Sequence, residues 1–264
     1  MCLAVIALNA HAQFPLIIIA NRDEYHERPT ATAQIWSSHS NVLAGRDLRA
    51  GGTWLGLSSN GKIGLLTNYR EPGNQNPSAP SRGELVSNFL SEELNAEQYA
   101  QAIYPSAREF NGFNLLLVDA QGVRYLTNRT QQTQVKLTHG VHGLSNATLD
   151  IAWPKVERTR NAVSQLLTQQ ATPEIEAFFA IFRDATPADI HMLPQTGLAP
   201  ERELTLSSPF ILDEIYGTRC SSLIMVDRSG MTYFEERTFS AQGLIIAQSK
   251  WQLDGKTQQF TALA

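Results

Sequence analysis

The 264-residue chain has 25 acidic and 21 basic residues, a net charge of −4, and 42% of its residues are hydrophobic. That balance lacks the basic footprint of a nucleic-acid-binding protein and supplies enough apolar material for one large domain or two small ones. Two cysteines, Cys2 and Cys220, are too few for a disulfide framework and form no Cys-x-x-Cys pair, so no metal site is expected and a reducing, cytoplasmic compartment is the default.

The apolar run Cys2 to Leu8 opens the chain, and a second, Phe14 to Ala20, follows after polar Asn9, His11 and Gln13. No Lys or Arg precedes the first run and neither approaches a membrane span in length, so two strands joined by a turn are expected rather than a secretion signal. Asn21-Arg22-Asp23-Glu24 comes directly after the second run. Thr53 to Ser58 and Lys62 to Thr67 flank Asn60-Gly61, a strong hairpin signature. Arg82 to Leu90 carries an apolar stripe of Leu85, Val86, Phe89 and Leu90 and predicts a helix, as does Glu97 to Ile103. Phe113 to Asp119 and Val123 to Thr127 flank Gln121-Gly122, predicting a second hairpin. Pro154 suits the first turn of a helix running to Leu167, and Pro173 to Phe182 predicts another. Ser222 to Asp227 and Met231 to Arg237 flank Ser229-Gly230 as a third hairpin. The stretches Glu71 to Ser81 and Leu193 to Glu203 read as loops. Three hairpins imply antiparallel pairing, so the expected class is α+β, an αββα sandwich of two antiparallel sheets covered by helices.

By position alone Cys2 reads as a small buried strand residue. Removal of Met1 would instead leave a cysteine bearing both a thiol nucleophile and an α-amine able to accept its proton. If the first two strands form a hairpin, Arg22 and Asp23 lie beside Cys2, where an arginine lowers a thiol pKa and a carboxylate holds an amine. Asn68, at the end of a strand, and Asn146, before the long helix, are ordinary turn or cap residues singly. Together they can bind charge developing on a carbonyl oxygen. Arg219 adds a second arginine at the mouth of another strand. The catalytic candidates are therefore Cys2, Arg22, Asp23, Asn68, Asn146 and Arg219.

Met1-Cys2, Asn21-Arg22-Asp23-Glu24, Gly51-Gly52-Thr53-Trp54-Leu55-Gly56, Thr67-Asn68-Tyr69, Arg82-Gly83-Glu84-Leu85, Asn111-Gly112-Phe113-Asn114, Gly143-Leu144-Ser145-Asn146 and Tyr216-Gly217-Thr218-Arg219 occur in this order along nearly the whole chain. This set resembles the NRDE family, also called TANGO2-like. The resemblance implies one domain over residues 1–264 with a fold like that of N-terminal-nucleophile hydrolases. In those hydrolases the Arg and Asp after the second strand are two residues apart. Here they are adjacent, so only one is expected to face Cys2, with Asn21 or Glu24 as its substitute.

The resemblance implies intracellular haem handling, with haem as a transported ligand, haem-accepting proteins as partners and no resident cofactor required. Cys2 thiolate or His26 would then be the axial ligand, and Arg22 or Arg219 would pair a propionate. The alternative is a cysteine amidase or acyltransferase acting on linear C–N amides. Ligand-binding candidates are Asn21, Glu24, His26, Trp54 and Tyr69, with Gly51, Gly52 and Phe113 as further expected walls of the pocket.

Overall fold

The computed structural model describes residues 2–130 and 134–264. In chain order it has β1 (Cys2–Leu8), β2 (Leu16–Tyr25), β3 (Thr30–Trp36), β4 (His39–Asp47), β5 (Leu55–Ser58) and β6 (Ile63–Asn68), then α1 (Gly83–Ser91) and α2 (Ala96–Ile103). Next come β7 (Phe113–Asp119), β8 (Gly122–Thr127), β9 (Gln134–Lys136), β10 (Gly140–Leu144), α3 (Pro154–Gln169), α4 (Ile175–Phe182) and α5 (Pro200–Thr205). The chain closes with β11 (Tyr216–Val226), β12 (Met231–Phe239), β13 (Ile245–Asp254) and β14 (Gln259–Ala262).

The strands form two seven-stranded sheets, ordered β10-β1-β2-β11-β12-β13-β14 and β3-β4-β5-β6-β7-β8-β9. Their paired neighbours run antiparallel. Strand alternation explains the layers. Ala4 and Ile6 of β1, with Ile18 and Ala20 of β2, point between the sheets toward Leu55, Leu57, Leu65 and Leu116. Leu3, Val5, Ile17 and Ile19 point the other way, onto Val156 and Val163 of α3 and Phe178, Phe179 and Phe182 of α4. The second sheet does the same with Leu66, Leu115 and Leu117 against Val86, Phe89 and Leu90 of α1 and Tyr99 of α2. Strands buried on both faces read as unbroken apolar runs, which is why β1, β2 and β7 stand out in the sequence. Each wholly buried Phe or Leu contributes about 1.5–3 kcal/mol by leaving water. The architecture is the αββα sandwich.

Glycines let α1 come close to its sheet. A Cβ on Gly64 would lie 2.9 Å from Val86 Cγ1, and one on Gly56 would lie 2.6 Å from Ala44 Cβ and 2.9 Å from Leu90 Cδ1. The three hairpin turns place Gly61, Gly122 and Gly230 at positive φ. Two features depart from expectation. β2 runs through Asn21 to Glu24 as far as Tyr25, beyond the expected apolar run, and the Pro200–Thr205 helix overlaps the end of the expected Leu193 to Glu203 loop, opened by Pro200 with Glu201 and Glu203 in its first turn. Among the described residues no helix is long and apolar enough to cross a membrane.

Candidate active site

The β1–β2 register sets Cys2 opposite Arg22, and Arg22 is in turn opposite Cys220 of β11. Cys2 shares the inter-sheet face of β1 with Ala4 and Ile6, so its side chain stands where the core opens at the strand's first residue. A cavity of about 610 Å³ opens there, and its walls include Cys2, Arg22, Asp23, Glu24, Trp54 and Asn68. The volume lies in the usual range for small-molecule sites.

Arg22 is 5% exposed, its guanidinium carbon 4.3 Å from the Trp54 ring centroid. Its Nη1 donates to Thr30 Oγ1 at 3.2 Å and its Nη2 to Asp47 Oδ2 at 3.4 Å. Asp47 is held more closely by Arg28, whose Nε is 2.6 Å from Oδ2. Burial acts to raise the Asp47 carboxyl, but bonds from Arg28 and the Ala50 N–H outweigh it and the pKa is lowered. Burial pushes the Cys2 thiol up, with Asp23 acting in the same direction and Arg22 against it. Asp23 is buried and accepts a bond from Thr218 Oγ1 at 2.7 Å; burial raises its pKa while the charge of Lys155 opposes.

Asn68 lines the cavity, but Asn146 supports it from behind. Asn146 Nδ2 donates to the Asn68 carbonyl at 2.8 Å, and the neighbouring Ser145 Oγ lies 2.9 Å from the Cys2 carbonyl oxygen. This loop thus positions both the thiol-bearing residue and the end of β6. Arg219 is the extra residue of a bulge between Thr218 and Cys220, and its Nη1 donates to the carbonyls of Tyr25, His26 and Arg28. It braces the turn after β2 and is not among the cavity walls. Asn21 faces the helical layer, its Nδ2 donating to the Phe182 and Pro209 carbonyls and its Oδ1 accepting from Ser221. His26 sits with Nε2 3.0 Å from the Asp213 carbonyl, and Tyr69 bonds through its backbone N–H to Gly112. Neither lines the cavity, and nor do Gly51 and Phe113; Gly52 and Trp54 do.

The residues that sequence reasoning missed are mostly charged. Arg28, Asp47 and Arg82 line the cavity. Behind it lies Lys155, 2% exposed, its Nζ donating to the Leu206 carbonyl at 2.9 Å and its pKa brought down to about 8 by burial, with Asp23 opposing. Arg70 and Glu203 form a buried pair at 2.5 Å, and Arg70 stacks 4.7 Å from the Trp153 centroid. The only hint in sequence was Arg82 in its Arg-Gly-Glu-Leu motif. Met1, whose removal would free the Cys2 amine, lies outside the described residues.

Chemically, the cavity offers a thiol, the guanidinium groups of Arg22, Arg28 and Arg82, the carboxyls of Asp23, Glu24 and Asp47, and side-chain amides that include Asn68. No histidine is in its wall, and among the described residues no group of three or more His, Cys, Asp and Glu side chains is placed to hold a metal ion.

Comparison with known proteins agrees with this architecture. The chain is similar to the Transport and Golgi organization 2 homolog of Mus musculus, 33% identical over 276 residues that cover 94% of this chain and 93% of that protein. It is also similar to the Homo sapiens homolog, 32% identical over 264 residues with 94% and 93% coverage. Among solved structures, a mutant conjugated bile acid hydrolase from Clostridium perfringens superposes with a TM-score of 0.52, covering 100% of this chain and 97% of that one at 8% identity. That likeness places the sandwich among N-terminal-nucleophile hydrolase folds. Residues 1–241 match the family described as Transport and Golgi organisation 2, and the chain belongs to that family.

Proposed function

We propose that this protein handles haem, taking it into the Cys2 cavity and surrendering it to a protein acceptor. The observation that carries the reading is the pairing, in one cavity of about 610 Å³, of a single soft donor, the Cys2 thiol, with the Arg22 guanidinium stacked on the flat Trp54 indole. A thiolate is a known haem ligand, and Arg22, held only at 3.4 Å by Asp47, has capacity to pair a propionate. Burial raises the Cys2 pKa, so a proton competes with a metal for the thiolate near neutral pH. That suits a cargo that must leave. The test is an absorbance titration of the purified protein with haem. A saturable Soret shift that changes position in Cys2→Ala supports the reading, and no saturable shift in the parent protein overturns it.

A second reading is favoured by Cys2, Arg22, Asp23 and Asn68 sharing that cavity. With Met1 removed, Cys2 Sγ would attack an amide carbonyl carbon, the C–N bond would break as the amine leaves with a proton, and water would hydrolyse the thioester. Intact mass and burst kinetics on chromogenic amides test it. A retained Met1 and no burst exclude it.

A further inference from the structure

The wall of the cavity includes Ser81, Arg82 and Gly83 at the start of α1, and Arg82 differs from the other two arginines there. Arg22 and Arg28 both pair with Asp47, whereas Arg82 makes no ion pair among the described residues. Its Nη1 donates to the Gly112 carbonyl at 2.9 Å, which fixes the plane of the guanidinium. Nε and Nη2, the other edge of the fork, make no hydrogen bond among the described residues, and two parallel N–H groups at that spacing match the two oxygens of a carboxylate. Trp54, 8% exposed, shares the wall and carries the Arg22 guanidinium on its ring, so Arg22 is already occupied on that face while Arg82, among the described residues, is not. Arg82 also feels the charges of Cys2 and Glu24, so it lies in the same electrostatic field as the thiol.

We propose that Arg82, its plane fixed by the Gly112 carbonyl and its Nε/Nη2 edge free among the described residues, forms a carboxylate subsite that orients an acidic amphipathic ligand in the Cys2 cavity. It deepens the haem reading and rests on it for the porphyrin, but the subsite can be tested without haem. Iodoacetate and iodoacetamide alkylate Cys2 by the same step, in which an S–C bond forms and iodide leaves with the C–I pair. They differ in charge, and the ratio of their rates cancels any change in thiolate fraction.

The parent protein should favour iodoacetate beyond the ratio of a free thiol, and Arg82→Gln should lower that ratio about threefold, with Arg82→Lys recovering only the part due to charge and not the part due to the two-pronged fork, and added salt narrowing the difference. An unchanged ratio in Arg82→Gln overturns the subsite. Should that variant not fold, protection of the parent settles the matter. Acetate slowing Cys2 alkylation more than chloride at equal ionic strength supports the subsite. Equal effects overturn it, and stronger protection by phosphate than by acetate overturns the carboxylate assignment. In a parallel arm, iron-free protoporphyrin IX should bind more tightly than its dimethyl ester, and Arg82→Gln should erase the preference. If neither porphyrin binds while the alkylation ratios behave as expected, the haem reading falls and the subsite stands.

Discussion

Asn114 offers the sharpest test of how the Cys2 rim is held. It is wholly buried on β7 and makes three close hydrogen bonds, Nδ2 donating to Thr67 Oγ1 at 3.0 Å and to the Ala147 carbonyl at 2.9 Å and Oδ1 accepting from Tyr125 Oη at 2.7 Å, with a longer fourth from Nδ2 to the Ser145 carbonyl at 3.5 Å. These bonds tie the loop after β10 to the second sheet, and that loop carries Ser145 and Asn146. Asn114→Ala removes them all and leaves the Ala147 carbonyl and Tyr125 hydroxyl with fewer buried partners. At about 1 kcal/mol net per close bond the loss is about 3 kcal/mol, rising toward about 5 if the stranded groups stay dry. At about 2–4 °C per kcal/mol for a chain near this size, the melting temperature should fall by about 6–12 °C. Urea denaturation at unchanged m-value gives the first number and a thermal scan the second. Alkylation of Cys2, measured in buffer where the variant is folded, should change in rate as well, because the loop bonded to the Cys2 carbonyl and the Asn68 carbonyl loses its anchor. A loss below about 1 kcal/mol would refute the account of this network as the brace of the rim.

Three further outcomes follow from individual sites. Gly45→Ala would set a Cβ 2.4 Å from Trp54 Cη2, so it should cost about 1–3 kcal/mol and shift tryptophan fluorescence; unaltered emission and stability would contradict the packing. Lys155 has its folded pKa lowered to about 8, below the ordinary lysine value of about 10.4, so the unfolded chain holds the extra proton between them and stability rises with pH across that window. The parent should therefore gain on Lys155→Met in denaturant midpoints measured from pH 8 to 10, and parallel curves would show that Lys155 keeps an ordinary pKa. Cys2 lines the cavity while Cys220 is 3% exposed with its thiol pushed well up by burial, so mass mapping after brief iodoacetamide treatment should find Cys2 modified first. Equal labelling in the native state would be inconsistent with the fold.

The elements legible in the sequence were those buried on both faces or closed by a glycine turn. Cys2–Leu8, Leu16 to Ala20 and Leu115 to Val118 are unbroken apolar runs, and Asn60-Gly61 marks its hairpin because Gly61 takes positive φ. Thr30–Trp36 gave no such signature, since its small alternating Ala and Thr residues pair with β4 through register shifts at Ala31/Gln34 and Ile35/Trp36. Ile245–Asp254 is half-buried along most of its length, so its pattern blurs. At the site, Cys2, Arg22 and Asp23 could be placed because a hairpin register is arithmetic. Arg219 could not, because a bulge breaks that arithmetic. Lys155 falls inside the expected Pro154 to Leu167 helix, and no periodicity distinguishes a lysine whose Nζ finds a buried carbonyl from one in water.

The bulge and the start of β1 together explain how adjacent Arg22 and Asp23 both reach one cavity. Alternation sends them to opposite faces of β2: Arg22 lies between the sheets over Trp54, and Asp23 turns toward Thr218 and the charge of Lys155. On an interior stretch of sheet the neighbouring strand would keep those faces apart. Among the described residues β1 pairs with β2 as far as Cys2 opposite Arg22, and Asp23, Glu24 and Tyr25 run on past that pair. On the other flank the inserted Arg219 shifts the β11 register, so that Thr218 meets Asp23 and Cys220 meets Arg22. The ladder thus stays closed on the β11 side and opens at the edge where β1 begins. Both faces of β2 meet around that opening, and a spacing of one residue puts a guanidinium and a carboxyl in the wall beside the Cys2 thiol, without the two-residue separation that a continuous strand would require.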